Sequence, residues 1–178
     1  RHPATGAAES VTRNAVIQAT AGSLNPAVSS DGARVVFASG ASNLVDGDTN
    51  GRRDIFLFAG VPGEFLRIGP LSDESTRDSD VPDISGDGTT VAFVTEEGAF
   101  WNAPDSQAEQ VVLGEIGGGF ELVSRAFDGQ AGNGDSGKPR LNSDGRYTVF
   151  SSAATNLIDG ITPGVRQIYL YDRGKRRV

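Results

Sequence analysis

The sequence predicts an all-β fold made of three repeated four-stranded units, first because one motif occurs three times. The segments 26–39, 82–95 and 139–152 read PAVSSDGARVVFAS, PDISGDGTTVAFVT and PRLNSDGRYTVFSS. Each begins with proline, contains an Asp-Gly pair and has a phenylalanine near its end, and the Asp-Gly pairs recur after 56 and 57 residues. A constant period of this size is typical of repeat architectures, in which each unit buries its faces against its neighbours.

The second observation is the order of short strands within each unit. An Asp-Gly pair accepts the positive φ values of a tight two-residue hairpin, so it is predicted to join antiparallel strands a and b. The runs VVF, VAF and TVF form strand b and favour burial on both faces. Strand c is read from IFLF, VVLG and IYLY, and strand d from FLRIG and ELVSR. Four short antiparallel strands recurring at this length indicate β-propeller blades.

The units divide the chain into one module, residues 1–178, with blades at about 21–69, 77–125 and 134–178. The segment 9–13 has the character of a strand d but precedes the first blade, whereas the third blade stops where its own strand d would begin. Propellers typically close with four to eight blades, so three blades are too few for a ring. The module is therefore either half of a six-bladed ring shared by two chains, or part of a larger propeller or open assembly.

Both arrangements predict that a strand is exchanged between subunits. The spare strand of one subunit is expected to pair with strand c of the third blade of another, which would remove exposed sheet edges. The partner is therefore expected to be protein, either a second copy or the neighbouring subunits of a larger assembly. The residues of this predicted interface are Glu9, Ser10, Val11, Thr12, Arg13, Gln167, Ile168, Tyr169, Leu170 and Tyr171.

Longer strings of the first and third units resemble a known family. ASNLVDGDTNGRRDIFLF (41–58), SSAATNLIDG (151–160) and RQIYLYDR (166–173) resemble the TolB-like β-propeller repeat of bacterial secreted and envelope proteins. The middle unit departs most, with EEGAFWNAPDSQAEQ (96–110) in place of the loop motif. The resemblance implies a propeller scaffold and an extracytoplasmic location, which is periplasmic, at the cell surface or secreted. It implies no particular activity, because one fold hosts many functions.

Composition agrees with an exported scaffold and excludes several classes of function. The chain has 37% hydrophobic residues, 24 glycines and no cysteine, so no disulfide framework is present. No apolar run approaches the roughly 20 residues that a membrane helix needs. A net charge of −7 argues against nucleic acid as a partner. The absence of methionine, even at position 1, suggests a mature chain or a fragment without its export signal.

Residues suited to catalysis are scarce. The only histidine is His2 and there is no cysteine, which argues against Ser-His-Asp and Cys-His sites. The tyrosines lie in predicted strands and are expected to pack rather than to catalyse. The sequence therefore predicts a non-catalytic module that binds protein or serves as a structural subunit. A glycan-binding module, or a glycoside hydrolase or lyase that uses a carboxylate pair, remains the alternative.

One loop resembles a calcium-binding loop. Asp46, Asp48, Asn50, the Arg52 carbonyl and Asp54 match ligand positions 1, 3, 5, 7 and 9, and a glycine follows Asn50 at the sharp turn. Position 12, normally glutamate, is a leucine within strand c, so such a site would be incomplete. The competing interpretation is that these side chains only hydrogen-bond the backbone of a long turn. Calcium is the one cofactor that the sequence suggests.

The loops on one face of the propeller are the expected contact surface. The b–c and d–a connections of a propeller emerge on the same face, so the calcium-like loop is expected near Asp78 and Asp80, with Asp135 on another blade. Trp101 follows Phe100 in the aberrant second loop, either as part of a packed anchor or as an exposed contact for carbohydrate or protein. Binding residues commonly lie on loops held by a rigid scaffold.

Overall fold

The computed structural model describes residues 10–12, 18–60, 64–69, 77–101 and 105–178. Within these ranges the chain forms eleven β-strands and one short 3-10 helix, Gly98–Trp101, so the predicted all-β class is confirmed. The strands are β1 (Ser23–Val28), β2 (Val35–Ser39), β3 (Asp54–Phe58), β4 (Phe65–Ile68), β5 (Ser79–Ile84), β6 (Thr90–Thr95), β7 (Gln110–Glu115), β8 (Phe120–Leu122), β9 (Ser136–Leu141), β10 (Tyr147–Ser152) and β11 (Gln167–Asp172).

The strands form three antiparallel sheets, one for each predicted blade. Blade 1 has the order β1-β2-β3-β4 and blade 2 the order β5-β6-β7-β8. Blade 3 has only β9, β10 and β11 among the described residues. After β11 the chain turns back, and an antiparallel bridge joins Asp172 to Arg177. Arg177 therefore lies beside β11, at the sheet edge that the fourth strand occupies in blades 1 and 2.

The turn between the first two strands of each blade differs from the predicted two-residue hairpin. The glycines have the expected positive φ values, 70° at Gly32, 75° at Gly88 and 67° at Gly145, but none of the preceding aspartates does. A type I′ turn would need positive φ at both central residues. The loop is longer, and in blade 1 the Ser29 N–H donates to the Arg34 carbonyl, 3.0 Å away, across four intervening residues.

The aspartate of each turn holds this longer loop through its side chain. In blade 1, Asp31 Oδ1 accepts from the Ser29 hydroxyl at 2.6 Å and from the Ala33 N–H at 3.0 Å. Asp87 and Asp144 make the equivalent bonds in blades 2 and 3. These are Asx turns, which explains the recurring Asp-Gly pair without a two-residue hairpin.

The first strand of each blade carries a β-bulge that the sequence did not predict. Asn25, Val81 and Lys138 have φ values of 50°, 50° and 55°, and each precedes the proline of its motif. The strand register shifts at the same place in all three sheets. Positive φ is unusual for non-glycine residues and above all for β-branched valine, so the bulge is a strained feature repeated in every blade.

Two hydrophobic clusters fill the spaces between neighbouring blades. Between blades 1 and 2, Val36, Ile55 and Leu57 pack against residues of blade 2 that include Val91 and Phe93. Between blades 2 and 3, a second cluster combines other residues of blade 2 with aromatic residues of blade 3; it consists of Ala92, Val94, Val111, Leu113, Val123, Phe150, Ala154, Leu157, Tyr169 and Tyr171. The middle blade therefore buries both of its faces, and every residue of β6 is buried.

The outer face of blade 1 is covered from within the chain. Phe37 and Phe56 are buried there, with Val11 and Ala19 from the N-terminal segment packed against their cluster. Residues 10–12 lie in a turn, and the Thr12 carbonyl accepts the Ala19 N–H at 3.0 Å. The predicted spare strand is thus a turn in its described part, while Glu9 and Arg13 lie outside the described residues. Pairing of this segment with another subunit stays a prediction.

We expect Gly145→Ala to destabilise the chain more than Gly117→Ala. Both glycines have positive φ, which costs a side chain about 1 kcal/mol. A Cβ at residue 145 would also lie 2.6 Å from the Cβ of Thr90 in blade 2, whereas a Cβ at residue 117 meets nothing within 4 Å. The clash adds about 1–3 kcal/mol. Urea unfolding of both variants measures the difference, and equal losses would contradict the packing of this turn against blade 2.

Candidate functional site

The candidate functional site is the outward face of blade 3, where apolar side chains stand open to solvent. Val149 of β10 is 41% exposed, and Ile168 and Leu170 of β11 are 73% and 54% exposed. Val149 and Leu170 are directly paired across the two strands, and Ile168 lies two residues along on the same face. The alternate residues Tyr169 and Tyr171 are buried against blade 2. We call Val149, Ile168 and Leu170 the open face.

The open face occupies repeat positions that are buried in the other two blades. The matching residues of blade 1 are Val36, Ile55 and Leu57, which are at most 4% exposed and pack on blade 2. In blade 2 they are Ala92, Val111 and Leu113, which are fully buried against blade 3. The open face therefore has the chemistry of an interface between blades, without a following blade among the described residues.

A polar junction accompanies each of the two internal interfaces. Between blades 1 and 2, the Arg53 N–H donates to Asp78 Oδ1 at 3.1 Å, and the Arg53 carbonyl accepts the Ser79 N–H at 2.7 Å. Between blades 2 and 3, Glu109 makes the same pair of bonds with Asp135 and Ser136, at 3.2 and 2.8 Å. An Asp-Ser pair at the start of one blade thus binds both backbone groups of one residue in the preceding blade.

The charges at the two junctions differ. The Arg53 guanidinium lies 3.1 Å from Asp78 and 3.3 Å from Asp80, so the first junction is an ion pair. At the second junction two acids meet, because glutamate replaces arginine. Burial, and then the Asp135 carboxylate, raise the pKa of Glu109. The third residue at this repeat position is Arg166 on blade 3, which is exposed. Sequence reasoning did not single out Arg53 or Arg166, although the repeat register aligns them.

The structure places the three aspartates of the predicted ligand face at these junctions. Asp78 and Asp80 lie beside Arg53 at the end of the calcium-like loop, and Asp135 lies beside Glu109 one blade further on. Trp101 is half-buried and packs against the cluster between blades 1 and 2. Phe100 is buried there, with its ring centroid 4.9 Å from that of Phe93. The anchor interpretation therefore fits Phe100, and Trp101 keeps an exposed part.

Some of the carboxylates on this loop face are paired with arginines, whereas Glu109 lies beside Asp135. A cavity of about 290 Å³ is lined by Arg53, Arg77, Asp80, Glu96 and other charged residues. Arg77 lies 3.3 Å from Glu96 and 3.5 Å from Asp105. These acids are held in ion pairs that join neighbouring loops.

The calcium-like loop is closed by its own hydrogen bonds. Asn50 Nδ2 donates to Asp54 Oδ2 at 3.1 Å, and Asn50 Oδ1 accepts the Arg52 N–H at 2.8 Å. Asp48 and Asp54 are buried, whereas Asp46 is exposed. Across the described ranges, no group of three or more His, Cys, Asp or Glu side chains is arranged to hold a metal ion. Burial is the main cause that raises the pKa of Asp54, and the Asp48 charge adds to it.

A second polar cluster ties the end of blade 3 to blade 2. Arg173 donates to Glu121 and Glu115, each at 3.1 Å, and the Tyr171 hydroxyl donates to Glu121 at 3.1 Å. Burial, followed by the Glu121 charge, raises the pKa of Tyr171 to about 12. Tyr171 is therefore a packing residue that keeps its proton, as predicted for the strand tyrosines.

Several solved structures have a similar fold. TolB from Acinetobacter baumannii matches 85% of this chain and 30% of its own, with a TM-score of 0.52 and 15% identity. The putative TolB from Agrobacterium tumefaciens matches 85% of this chain and 46% of its own, with a TM-score of 0.54 and 18% identity. This chain has the TolB-like propeller fold. The resemblance predicted from the repeat motifs is therefore confirmed at the level of fold.

Propellers of other proteins match equally well. The Pyrococcus horikoshii acylaminoacyl peptidase matches 89% of this chain and 24% of its own, with a TM-score of 0.52 and 14% identity. This chain thus spans less than half the length of each of these proteins. No protein-family model and no curated protein matches it by sequence. Among the described residues, no helix is long and apolar enough to cross a membrane.

We expect Asp54→Asn and Asp87→Asn to change the pH dependence of stability in opposite directions. The raised pKa means that the folded chain holds the Asp54 proton more tightly than the unfolded chain does. The wild type should therefore lose stability relative to Asp54→Asn as the pH rises. The loss begins near pH 3.8, the ordinary pKa of Asp, and is complete above the raised pKa. Hydrogen bonds from Ser85 and Thr89 lower the pKa of Asp87. The wild type therefore gains stability relative to Asp87→Asn as pH rises toward that ordinary value.

Urea unfolding between pH 3 and 7 measures both differences, with the two variants serving as controls for each other. Parallel pH profiles for the wild type and Asp54→Asn would contradict the burial of this carboxylate.

We expect the calcium-like loop to behave as a hydrogen-bonded turn. The melting temperature should then be the same in chelator and in millimolar calcium, since a ligand that binds only the folded state would raise it. Differential scanning calorimetry makes the comparison, with Asp48→Asn as the matched variant. A melting temperature that rises in calcium for the wild type but not for Asp48→Asn would instead support a metal site.

Proposed function

We propose that the chain is a non-catalytic, extracytoplasmic propeller module that binds protein, and that it joins an assembly through the open face of blade 3. The observation that carries this proposal is the exposure of Val149, Ile168 and Leu170 at positions that both internal interfaces bury. Uncovered apolar sheet faces and unpaired strand edges promote association. A partner that supplies a further blade would cover the face and continue the sheet packing.

Two assemblies are compatible with the repeat pattern, and the contacts favour one of them. In a two-chain ring, blade 3 of one copy would pack on the outer face of blade 1 of the other. That outer face already carries Val11 and Ala19 of its own chain. Blade packing there would require this segment to move away. An open assembly in which no other blade packs on blade 1 needs no such displacement, so we favour it over the two-chain ring.

The arrangement of charged groups supports a binding role over a catalytic one. On the loop face, Asp78, Asp80 and Glu96 pair with arginines at 3.1 to 3.3 Å. The two Arg53 pairs join blades 1 and 2, and the Arg77–Glu96 pair joins two loops of blade 2. The glycan-binding and carboxylate-hydrolase alternatives gain no specific support from these contacts, and turnover assays on polysaccharides would test the second.

We expect the isolated chain to self-associate weakly through the open face and to lose this association in Ile168→Asp. Ile168 is 73% exposed, so the substitution should change the free energy of unfolding by less than about 0.5 kcal/mol while placing a charge in any contact. Sedimentation velocity over a wide concentration range measures the association, and urea unfolding measures the stability.

The matched control is Val28→Asp, since Val28 is 58% exposed on β1 of blade 1, away from the open face. It should leave the sedimentation behaviour unchanged. Equal sedimentation of the wild type and both variants would argue against docking through this face. A stable two-chain species would instead favour the shared ring.

A further inference from the structure

The two internal junctions show which residues at the start of a blade bind the preceding blade. Asp78-Ser79 and Asp135-Ser136 are the residues that meet the preceding blade. In each pair the aspartate side chain accepts a backbone N–H and the serine N–H donates to the carbonyl of the same residue. A bond from a backbone N–H to a carboxylate is charge-assisted, so it is stronger than a neutral hydrogen bond and depends on correct register.

The residue of blade 3 that would receive such a pair is Arg166. It follows Arg53 and Glu109 by the repeat period and immediately precedes β11, as Arg53 precedes β3 and Glu109 precedes β7. Its Nη1 lies 3.4 and 3.5 Å from the Oγ and carbonyl of Ser151, which are long contacts within its own blade. At the first junction the arginine at this position pairs with two aspartates.

The first blade of this chain lacks the complementary residue. It begins Gly22-Ser23, so glycine stands where the other two blades have aspartate. A Cβ built at Gly22 meets nothing within 4 Å, so crowding does not explain the glycine. Together with Val11 and Ala19 on the outer face of blade 1, this makes a second copy a poor occupant of the open face.

We propose that blade 3 selects its partner through Arg166, and that the partner is a propeller blade whose first strand begins with Asp-Ser. The aspartate would accept the Arg166 N–H and pair with its guanidinium, the serine N–H would donate to the Arg166 carbonyl, and apolar side chains would cover the open face. This inference rests on the proposed function and adds the chemistry by which the partner is recognised.

The probe is the full chain with a second copy of its residues 66–125 joined after Val178. Arg177 bridges Asp172 at the edge of β11, as strand d does beside strand c in blade 1, so residues 66–69 of the copy are positioned to continue along that edge and to lead into a blade that begins Asp78-Ser79. The chain has no cysteine, and Ile168→Cys therefore places a single thiol on the open face. The rate of its modification by a maleimide measures how well the added blade covers that face.

We expect the added blade to slow modification at residue 168 at least tenfold relative to the unextended chain. Asp78→Ala in the copy removes both the backbone hydrogen bond and the ion pair, and should raise the labelling rate about tenfold or more, in line with a lost charge-assisted bond. Arg166→Ala keeps the backbone hydrogen bonds and removes only the ion pair, so it should raise the rate by a smaller factor. Their combination should raise the rate less than the product of the two separate effects, because Asp78→Ala already removes the partner of the Arg166 guanidinium. Glu115→Ala in the copy removes an equal charge away from the junction and should leave the rate slow.

The outcomes separate the two proposals. Rapid labelling in the extended chain would contradict docking itself and with it the proposed function. If labelling is slow in the extended chain and stays equally slow in its Asp78→Ala and Arg166→Ala variants, only the recognition proposal would be overturned. Should the extended chain fold poorly, self-association of the 178-residue chain gives a second test. Gly22→Asp should then associate more tightly than Gly22→Ala, with the gain smaller in Arg166→Ala, and equal association of the two variants would count against the proposal.

Discussion

The packing of one blade against the next is the constraint on which this structure depends. A four-stranded sheet has two faces, and the apolar strands of these blades need both covered. Blade 2 meets this need completely because it has a neighbour on each side, and every residue of β6 is buried. Blade 1 uses residues of the N-terminal segment on its outer side. Blade 3 has no cover on its outer side among the described residues, and the proposed function follows from that asymmetry.

Much of the fold could be predicted from the sequence because the repeat aligns three independent copies of the same physical solution. A proline, an Asp-Gly pair and an apolar strand in one register locate the first two strands of every blade. The turn type could not be read in the same way. An Asp-Gly pair is compatible both with a two-residue hairpin and with a longer Asx turn. The side-chain hydrogen bonds of Asp31, Asp87 and Asp144 show that the turns are of the longer kind. The segment 9–13 also has residues that favour strands. In its described part, however, Val11 packs against blade 1 and the backbone forms a turn, because tertiary contacts outweigh a weak local preference.

The site was predictable in part. The third blade was expected to be incomplete, and Ile168 and Leu170 were expected at an interface. That expectation concerned the strand edge, whereas the exposed groups lie on the sheet face, which only the strand pairing and burial reveal. The roles of Arg53 and Arg166 were missed because the residues at this repeat position are Arg, Glu and Arg. At this position the backbone N–H and carbonyl make the recurring hydrogen bonds. Any residue type can make such bonds, so the sequence alone does not reveal them.

The central claim is that the open face of blade 3 is buried in the assembly in which this chain works. The most direct measurement is thiol labelling of Ile168→Cys and Val28→Cys, one variant at a time, in the purified chain and in the intact source envelope or secreted fraction. Both residues are more than half exposed in the chain alone, so both thiols should react in the purified chain. The account predicts that the thiol of Ile168→Cys becomes protected in the native setting while the thiol of Val28→Cys remains reactive. Equal reactivity of the two thiols in both settings would contradict it.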